Sequence, residues 1–408
     1  MKILFITHYF APDSGAAANR LTRLATMLQA RGHDITVLTT MPHYPSGKIP
    51  DDYRRHWQVI EDRDGMRVIQ VWLWTSTSPK ILMRLISQLS FMLMCMVRGI
   101  FLQKPDVIFI ENQPIFTGLA GWFISKIKRT PYVLNVSDYW PEYLVVAGVV
   151  KETGIIYRVF KSLANLTQRS AGAITAMLDD LLLKIQNRIG TIENGYVIRN
   201  SVDLSLYNHP ELNQSFREKN SLNKNRLVTF LGGLGPHIDM DTMLDVAKQL
   251  SSYNDVTVLF VGSGAQKDKL TDALSQAEFS HCHHIDWIGA EDVPGFWEAS
   301  YLTFWALHHN ELDKMRFQAK LYEALASGTP SVIAVDGLMS EFLAHTKTGL
   351  TVLPGDVDAM VAAIQQLLED SNAYQSMSKR GRDYAAEHFD AEIQVSAYEG
   401  VLENVANS

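Results

Sequence analysis

Lys320 and Glu323 stand one helical turn apart in the run Lys320-Leu321-Tyr322-Glu323-Ala324-Leu325-Ala326-Ser327-Gly328-Thr329-Pro330, which Ser331-Val332-Ile333-Ala334-Val335 follows. This order reads as a helix start carrying a cation and a carboxylate, a glycine stop and a buried strand. In an α/β sheet such a junction is where a nucleotide diphosphate is held. Amide N–H groups and the lysine meet phosphate charge, and the carboxylate accepts from ribose hydroxyls.

Three further segments place glycine between a strand and a helix. Tyr9-Phe10-Ala11-Pro12-Asp13-Ser14-Gly15-Ala16-Ala17 follows the first strand, and its glycine lets backbone approach a phosphate or sugar. Phe230-Leu231-Gly232-Gly233-Leu234-Gly235-Pro236-His237 and Val261-Gly262-Ser263-Gly264-Ala265-Gln266-Lys267 repeat the pattern. A dinucleotide fingerprint needs glycine where Lys267 stands, which argues against NAD. Asn135-Val136-Ser137-Asp138-Tyr139-Trp140-Pro141-Glu142 ends another apolar run, so Asp138 falls at the carboxyl edge of a sheet, where ligands bind. Plain turns compete for Gly15 and Gly262, and a helix N-cap competes for Asp138.

Asp62/Asp64, Asp239/Asp241 and Asp356/Asp358 invite a metal-diphosphate reading, but each pair sits in a turn or at a helix start, where aspartate caps. His281-Cys282-His283-His284 resembles a metal site by composition alone, because adjacent strand residues point to opposite faces.

The elements that must position these residues alternate. Strand-like runs at 2–7, 34–39, 106–111 and 132–136 enclose helical runs at 18–30 and 117–127. A second set covers 226–231, 242–250, 256–261, 267–277, 284–288 and 294–299. That is the pattern of βαβ units and parallel sheets. The polar stretch 201–225 reads as a linker. The expected organisation is an α/β chain of two Rossmann-like, doubly wound domains facing across a cleft, 1–203 and 204–385, with helices over 386–408. The apolar segment from Ile81 to Leu102 carries Arg84, Gln88 and Arg98 within about 80° of a helical wheel, which makes it an amphipathic helix, in a core or at a lipid interface.

The chain has 408 residues, suiting two domains, with 47% hydrophobic and 20% charged residues and no low-complexity tract. Its two cysteines, Cys95 and Cys282, give no disulfide framework, and the N-terminal apolar run is too short for a signal peptide, so a cytoplasmic location is expected. Residues 1–200 hold 23 Lys and Arg against 15 Asp and Glu, a net +8 that leaves −15 for the remainder. An anionic membrane surface or a phosphorylated acceptor fits that asymmetry, and no nucleic-acid motif accompanies it.

The Lys320–Pro330 run, the three glycine loops and Ser137-Asp138-Tyr139-Trp140-Pro141-Glu142 together resemble family-four glycosyltransferases of the GT-B fold, in their bacterial polysaccharide branch. The resemblance spans nearly the whole chain. It implies retaining transfer from a nucleotide diphosphate sugar, UDP-linked by expectation, to a glycan or polyprenyl-diphosphate-linked acceptor, without a metal. It places Asp138, Lys320 and Glu323 in catalysis, and Gly15, Ala16, Gly232, Gly233, Gly262, Arg316, Phe317, Lys320, Leu321 and Glu323 on the donor. It also implies that the terminal helices cross back to the first domain. Three departures stand out: Gly15-Ala16 where many members have two glycines, Gly233 and Ile238 where many have Arg and Lys, and Met315 near the place of an acidic residue. Lys320 is then the foremost remaining cation for the diphosphate, and Asp138 orients rather than deprotonates. A nucleotide-sugar epimerase and a non-catalytic nucleotide-sugar binder are the alternatives.

Overall fold

The computed structural model describes every residue except 14, 45, 78–80, 147–149, 315 and 316. It divides into two units, one formed by Met1–Asn200 with Glu392–Ser408 and the other by Ser201–Ala391.

The first unit is built on β1 (Lys2–Ile6), β2 (Asp34–Thr40), β3 (Gln58–Arg63), β4 (Met66–Val71), β5 (Val107–Glu111), β6 (Tyr132–Val136), β7 (Ala173–Ala176) and β8 (Gly195–Val197), in the order β3-β4-β2-β1-β5-β6-β7-β8. Every pairing is parallel except β3 with β4. That hairpin turns at Asp64-Gly65, both with positive φ (53° and 77°), the backbone a tight hairpin of right-handed twist requires. Alternation along β1 sends Ile3 and Phe5 to one face and Leu4 and Ile6 to the other. On the first face lie Leu21, Leu24 and Leu28 of the helix Ala16–Ala30, with Tyr398 and Leu402 of the final helix Ala391–Ala406. On the second lie Phe91 and Cys95 of the helix Ile81–Ile100 and Ile124 of Ile115–Lys128.

The helix Ile81–Ile100 does not place its sides as an ordinary surface helix would. Gln88 and Arg98 share an arc with the buried Phe91 and Cys95, while Leu82, Ile86, Leu89, Leu93, Val97 and Ile100 are exposed. Those six fall within about 80° at 100° per residue. By length and composition the stretch Leu82–Ile100 could cross a membrane.

The second unit has β9 (Arg226–Leu231), β10 (Val256–Val261), β11 (Cys282–Ile285), β12 (Ser300–Ala306), β13 (Ser331–Ala334) and β14 (Gly349–Val352), in the order β11-β10-β9-β12-β13-β14 and parallel throughout. Both faces are covered by helices, so β9, β10 and β13 are nearly all apolar. Residues 201–225 are more than a linker: Pro210 opens the helix Pro210–Lys219, whose Phe216 packs edge-on against Phe296. The strand expected over 284–288 is shifted to Cys282–Ile285.

Candidate functional site

In the second unit the strand order changes direction between β9 and β12, and loops leaving their carboxyl ends form the natural ligand edge. The helix Ala319–Ser327 begins at Gln318 with no side-chain cap and ends at Gly328, φ 71°. Its first turn therefore keeps N–H groups free of a capping side chain. Lys320 extends from this turn so that Nζ lies 4.0 Å from the Phe230 ring centroid and 4.8 Å from that of Trp305. The residue is half-buried, but its ammonium is enclosed, and this burial lowers its pKa to about 7 against the opposing pull of Glu323. A Cβ on Gly232 (φ 149°) would come 3.0 Å from Nζ, so the glycine leaves room for the amine.

Glu323, one turn on, accepts from the indole N–H of buried Trp297 at 2.9 Å. That bond fixes one carboxylate oxygen, and a half-buried, anchored carboxylate replaces the solvated surface group its helical position alone would suggest.

The remaining expected donor contacts divide. Gly233 has open space beside it. Gly262 is needed for packing, since a Cβ there would meet the Gly232 carbonyl oxygen at 1.9 Å. Leu321 is fully buried and its N–H is spent on the Gln318 carbonyl, so it offers neither side chain nor amide. Phe317 packs against Tyr322 and Phe342, with centroids 5.0 Å away in each case, and its partly buried ring lies against the core. Ile238 is also core. Arg316 and Met315 lie outside the described residues.

In the first unit the order turns between β1 and β5. Gly15 caps the helix Ala16–Ala30 with φ 156°, its α-carbon facing the Tyr44 ring, and Ala16 opens the helix exposed to solvent. Asp13 holds the neighbouring loop through the N–H groups of His43 (2.7 Å) and Tyr44 (2.9 Å). His8 at the end of β1 is buried, and burial, with His43 nearby, keeps its pKa well below the ordinary histidine value, so it is neutral at pH 7. Asp138 follows β6 and accepts from the Gln113 amide; Pro141 separates it from the helix Glu142–Val146, so it is not that helix's cap. Arg188 bonds the Trp140 carbonyl and Glu142, both at 2.7 Å, and thereby sets the path of this segment.

Sequence reasoning missed Arg20 and Glu111. Arg20 pairs with Glu111 at 2.9 Å and reaches Ser137 at 3.0 Å, and Asn135 donates to Glu111 at 2.6 Å. Thr175 and Tyr398 complete the network by donating to the side-chain oxygen Oδ1 of Asn135. Burial alone would disfavour the Arg20 charge, but Glu111, with Tyr398 and Asp138, offsets it and the guanidinium stays cationic. The signal was present: a carboxylate ending the apolar strand Val-Ile-Phe-Ile-Glu, and an asparagine inside Tyr-Val-Leu-Asn-Val.

Asp239 and Asp356 cap helices through the N–H groups of Thr242 and Ala359, and Asp62 closes the hairpin turn on Gly65. His281 and His284 bond backbone carbonyls, of Ala247 and Gly262. Among the described residues His33, Glu399 and Glu403 could approach one ion, but Glu399 is already paired with Arg31 and His33.

Residues 15–200 match the family described as Glycosyl transferase 4-like domain and residues 213–384 match Glycosyl transferases group 1. The putative colanic acid biosynthesis glycosyl transferase WcaI of Escherichia coli (strain K12) is 21% identical over 384 residues, covering 90% of this chain and 92% of the relative. A glycogen synthase of Mycobacterium tuberculosis is 22% identical over 97% and 93%. Among solved structures, sucrose-phosphate synthase from Thermosynechococcus elongatus aligns with TM-score 0.76 at 15% identity over 100% of both chains. Anabaena Alr3699/HepE in complex with UDP-glucose aligns with TM-score 0.71 at 19% identity, again over 100% of both. These likenesses establish the GT-B fold, and the family matches, which together cover both units, establish the rest: the chain is a group 1, family-4-like glycosyltransferase that uses a nucleotide-sugar donor.

Proposed function

We propose that this enzyme transfers a sugar, with retention, from a UDP-sugar to a glycan or polyprenyl-diphosphate-linked acceptor in cell-surface polysaccharide synthesis. The observation that carries the donor reading is Lys320, an enclosed amine of lowered pKa at an uncapped helix start, one turn before Glu323. A diphosphate adds negative charge beside Lys320 beyond what Glu323 gives it, and Glu323 has the chemistry to accept from ribose hydroxyls. The relative named for colanic acid biosynthesis and the neighbour that holds UDP-glucose support the choice of pathway and base.

In the reaction we propose, the acceptor oxygen bonds to the anomeric carbon on the face from which the diphosphate oxygen departs. The acceptor proton passes to that leaving phosphate oxygen, so no enzymic base is needed. Lys320 and the first N–H groups of its helix neutralise the developing charge, and Asp138, steadied by Gln113, orients the acceptor. Turnover is expected without a metal, given the capping roles of Asp239 and Asp356.

We also propose that the protein works at the inner face of the cytoplasmic membrane, peripherally, through the helix Ile81–Ile100. Its exposed arc is apolar, and the exposed Lys104 beyond its end, with no acidic residue across 81–105, is compatible with anionic lipid. The test is transfer from UDP-sugars to isolated lipid-linked acceptors in EDTA, reading the anomeric configuration of the product. Inverted product, or activity restored only by added magnesium or manganese, would overturn the corresponding part.

A further inference from the structure

A cavity of about 440 Å³ opens on the first unit in the loops that follow β2 and β4, sharing no residue with the Arg20–Glu111 network. Residues 47–49 and Arg54 line one side and residues 72–77 the other. Four of these carry the chemistry: the cations Lys48 and Arg54 and the indoles of Trp72 and Trp74. No carboxylate is among the lining residues. Hydroxyls of Thr75, Ser76 and Thr77 add polar groups.

The walls are built rather than incidental. Gly47 takes a left-handed φ of 69° and packs against the Ser76 carbonyl, where a Cβ would lie at 3.3 Å, and so the two loops close on each other. The Trp74 amide donates to Ser90 at 2.8 Å, tying this wall to the helix Ile81–Ile100. Trp72 is held by its amide on the Trp57 carbonyl at 3.0 Å, and the two rings lie 5.7 Å apart. Arg54 pairs with Asp51 at 3.1 Å, but with side chains 60% and 90% exposed that pair is weak enough for a phosphate to displace. Lys48 is exposed.

Two cations and two indoles around an open-mouthed cavity match a sugar joined to phosphate: rings cover the apolar faces of the pyranose and the cations take the phosphate oxygens. A neutral sugar would leave both cations unused, and the volume is near the lower end for small-ligand sites. The tryptophan wall is tied through Ser90 to the helix with the exposed apolar arc, on which Leu82 is exposed. We infer that this cavity binds the acceptor by its phosphorylated sugar end, the phosphate carried on lipid that the apolar arc meets. This rests on the transferase reading above and names the class of acceptor.

The test is calorimetry on the full chain, with UDP titrated first and then N-acetylglucosamine 1-phosphate, N-acetylglucosamine and inorganic phosphate. The wild type should bind the sugar phosphate at least about tenfold more tightly than either fragment. Lys48→Ala with Arg54→Ala, both at exposed positions, should weaken it about tenfold or more while UDP affinity holds. Trp74→Leu should abolish the preference for sugar phosphate over phosphate. A prenyl-diphosphate-linked sugar in vesicles binding more tightly than the soluble sugar phosphate would assign the lipid-borne source, and equal binding would assign a soluble one and overturn the lipid part. Sugar-phosphate affinity unchanged in the double variant overturns the site. UDP binding without sugar-phosphate binding overturns the site alone. Sugar-phosphate binding that depends on Lys48 and Arg54 without UDP binding keeps it and overturns the donor reading.

Discussion

The amine of Lys320 rests 4.0 Å from the ring centroid of Phe230, the residue two before Gly232 in the loop-bearing strand β9. An ammonium over an aromatic face gains a cation–π attraction, while burial of the amine outweighs the pull of Glu323 and lowers its pKa to about 7.

That loss has a definite pH signature. The folded-state pKa lies below the ordinary lysine value, so the unfolded chain binds the proton more strongly. The resulting penalty is complete below pH 7, shrinks as the pH rises from about 7 to about 10.5, and is gone above that. Lys320→Met should therefore raise the Tm of the ligand-free protein at pH 6 to 7, with the gain disappearing in alkali. Thermal melts of the two proteins across pH check it, and equal Tm values at pH 6 would contradict it.

A second expectation concerns Arg20 and Glu111, whose side chains are 10% and 2% exposed. Glu111→Leu strands a buried guanidinium and should cost about 3–5 kcal/mol, whereas adding Arg20→Met should recover much of it. Urea denaturation of the single and double variants measures both. A single-variant cost below about 1 kcal/mol would show that water or another group already satisfies Arg20.

The helix Ile81–Ile100 provides a third. Leu82, Leu93 and Val97 are 60%, 58% and 55% exposed, so their replacement by Ser should leave the fold and Tm intact. The same triple change should release the protein from anionic liposomes in co-sedimentation at low salt. A wild type that ignores such liposomes, or a variant that still binds, would contradict the lipid assignment.

How far the sequence could be read is visible in particular residues. Tyr132–Val136, Arg226–Leu231 and Val256–Val261 were readable to their ends, because a parallel strand covered on both faces is an apolar run bounded by polar turns. The hairpin β3–β4 was not, since one strand is half-exposed and its period is diluted by Glu61, Asp62 and Arg63; the Asp64-Gly65 pair was its clearest mark. In the site, Lys320 and Glu323 could be placed by helical spacing. That Trp297 anchors Glu323, or that Phe317 packs on Phe342, depends on partners far along the chain that no local pattern encodes. The side of the helix Ile81–Ile100 that faces outward was equally hidden: periodicity shows two faces but not which one meets the sheet.

Glu323→Gln separates charge from structure, because the amide oxygen can still accept from Trp297 while the carboxylate charge is lost. It should weaken UDP binding with little change in Tm, whereas Glu323→Ala should lower both, orphaning a buried indole N–H at about 1–3 kcal/mol. Parallel calorimetry and melts check this, and equal UDP affinity in wild type and Glu323→Gln would remove the ribose role.

The most direct measurement is isothermal calorimetry of UDP binding at pH 8 in buffers of different ionisation enthalpy. With a pKa of about 7, Lys320 is mostly neutral there in the free protein and becomes charged when a diphosphate arrives. The wild type should take up close to one proton per UDP bound, and Lys320→Met should bind at least about tenfold more weakly without that uptake. Binding with no proton uptake, or an unchanged affinity in Lys320→Met, would contradict the account.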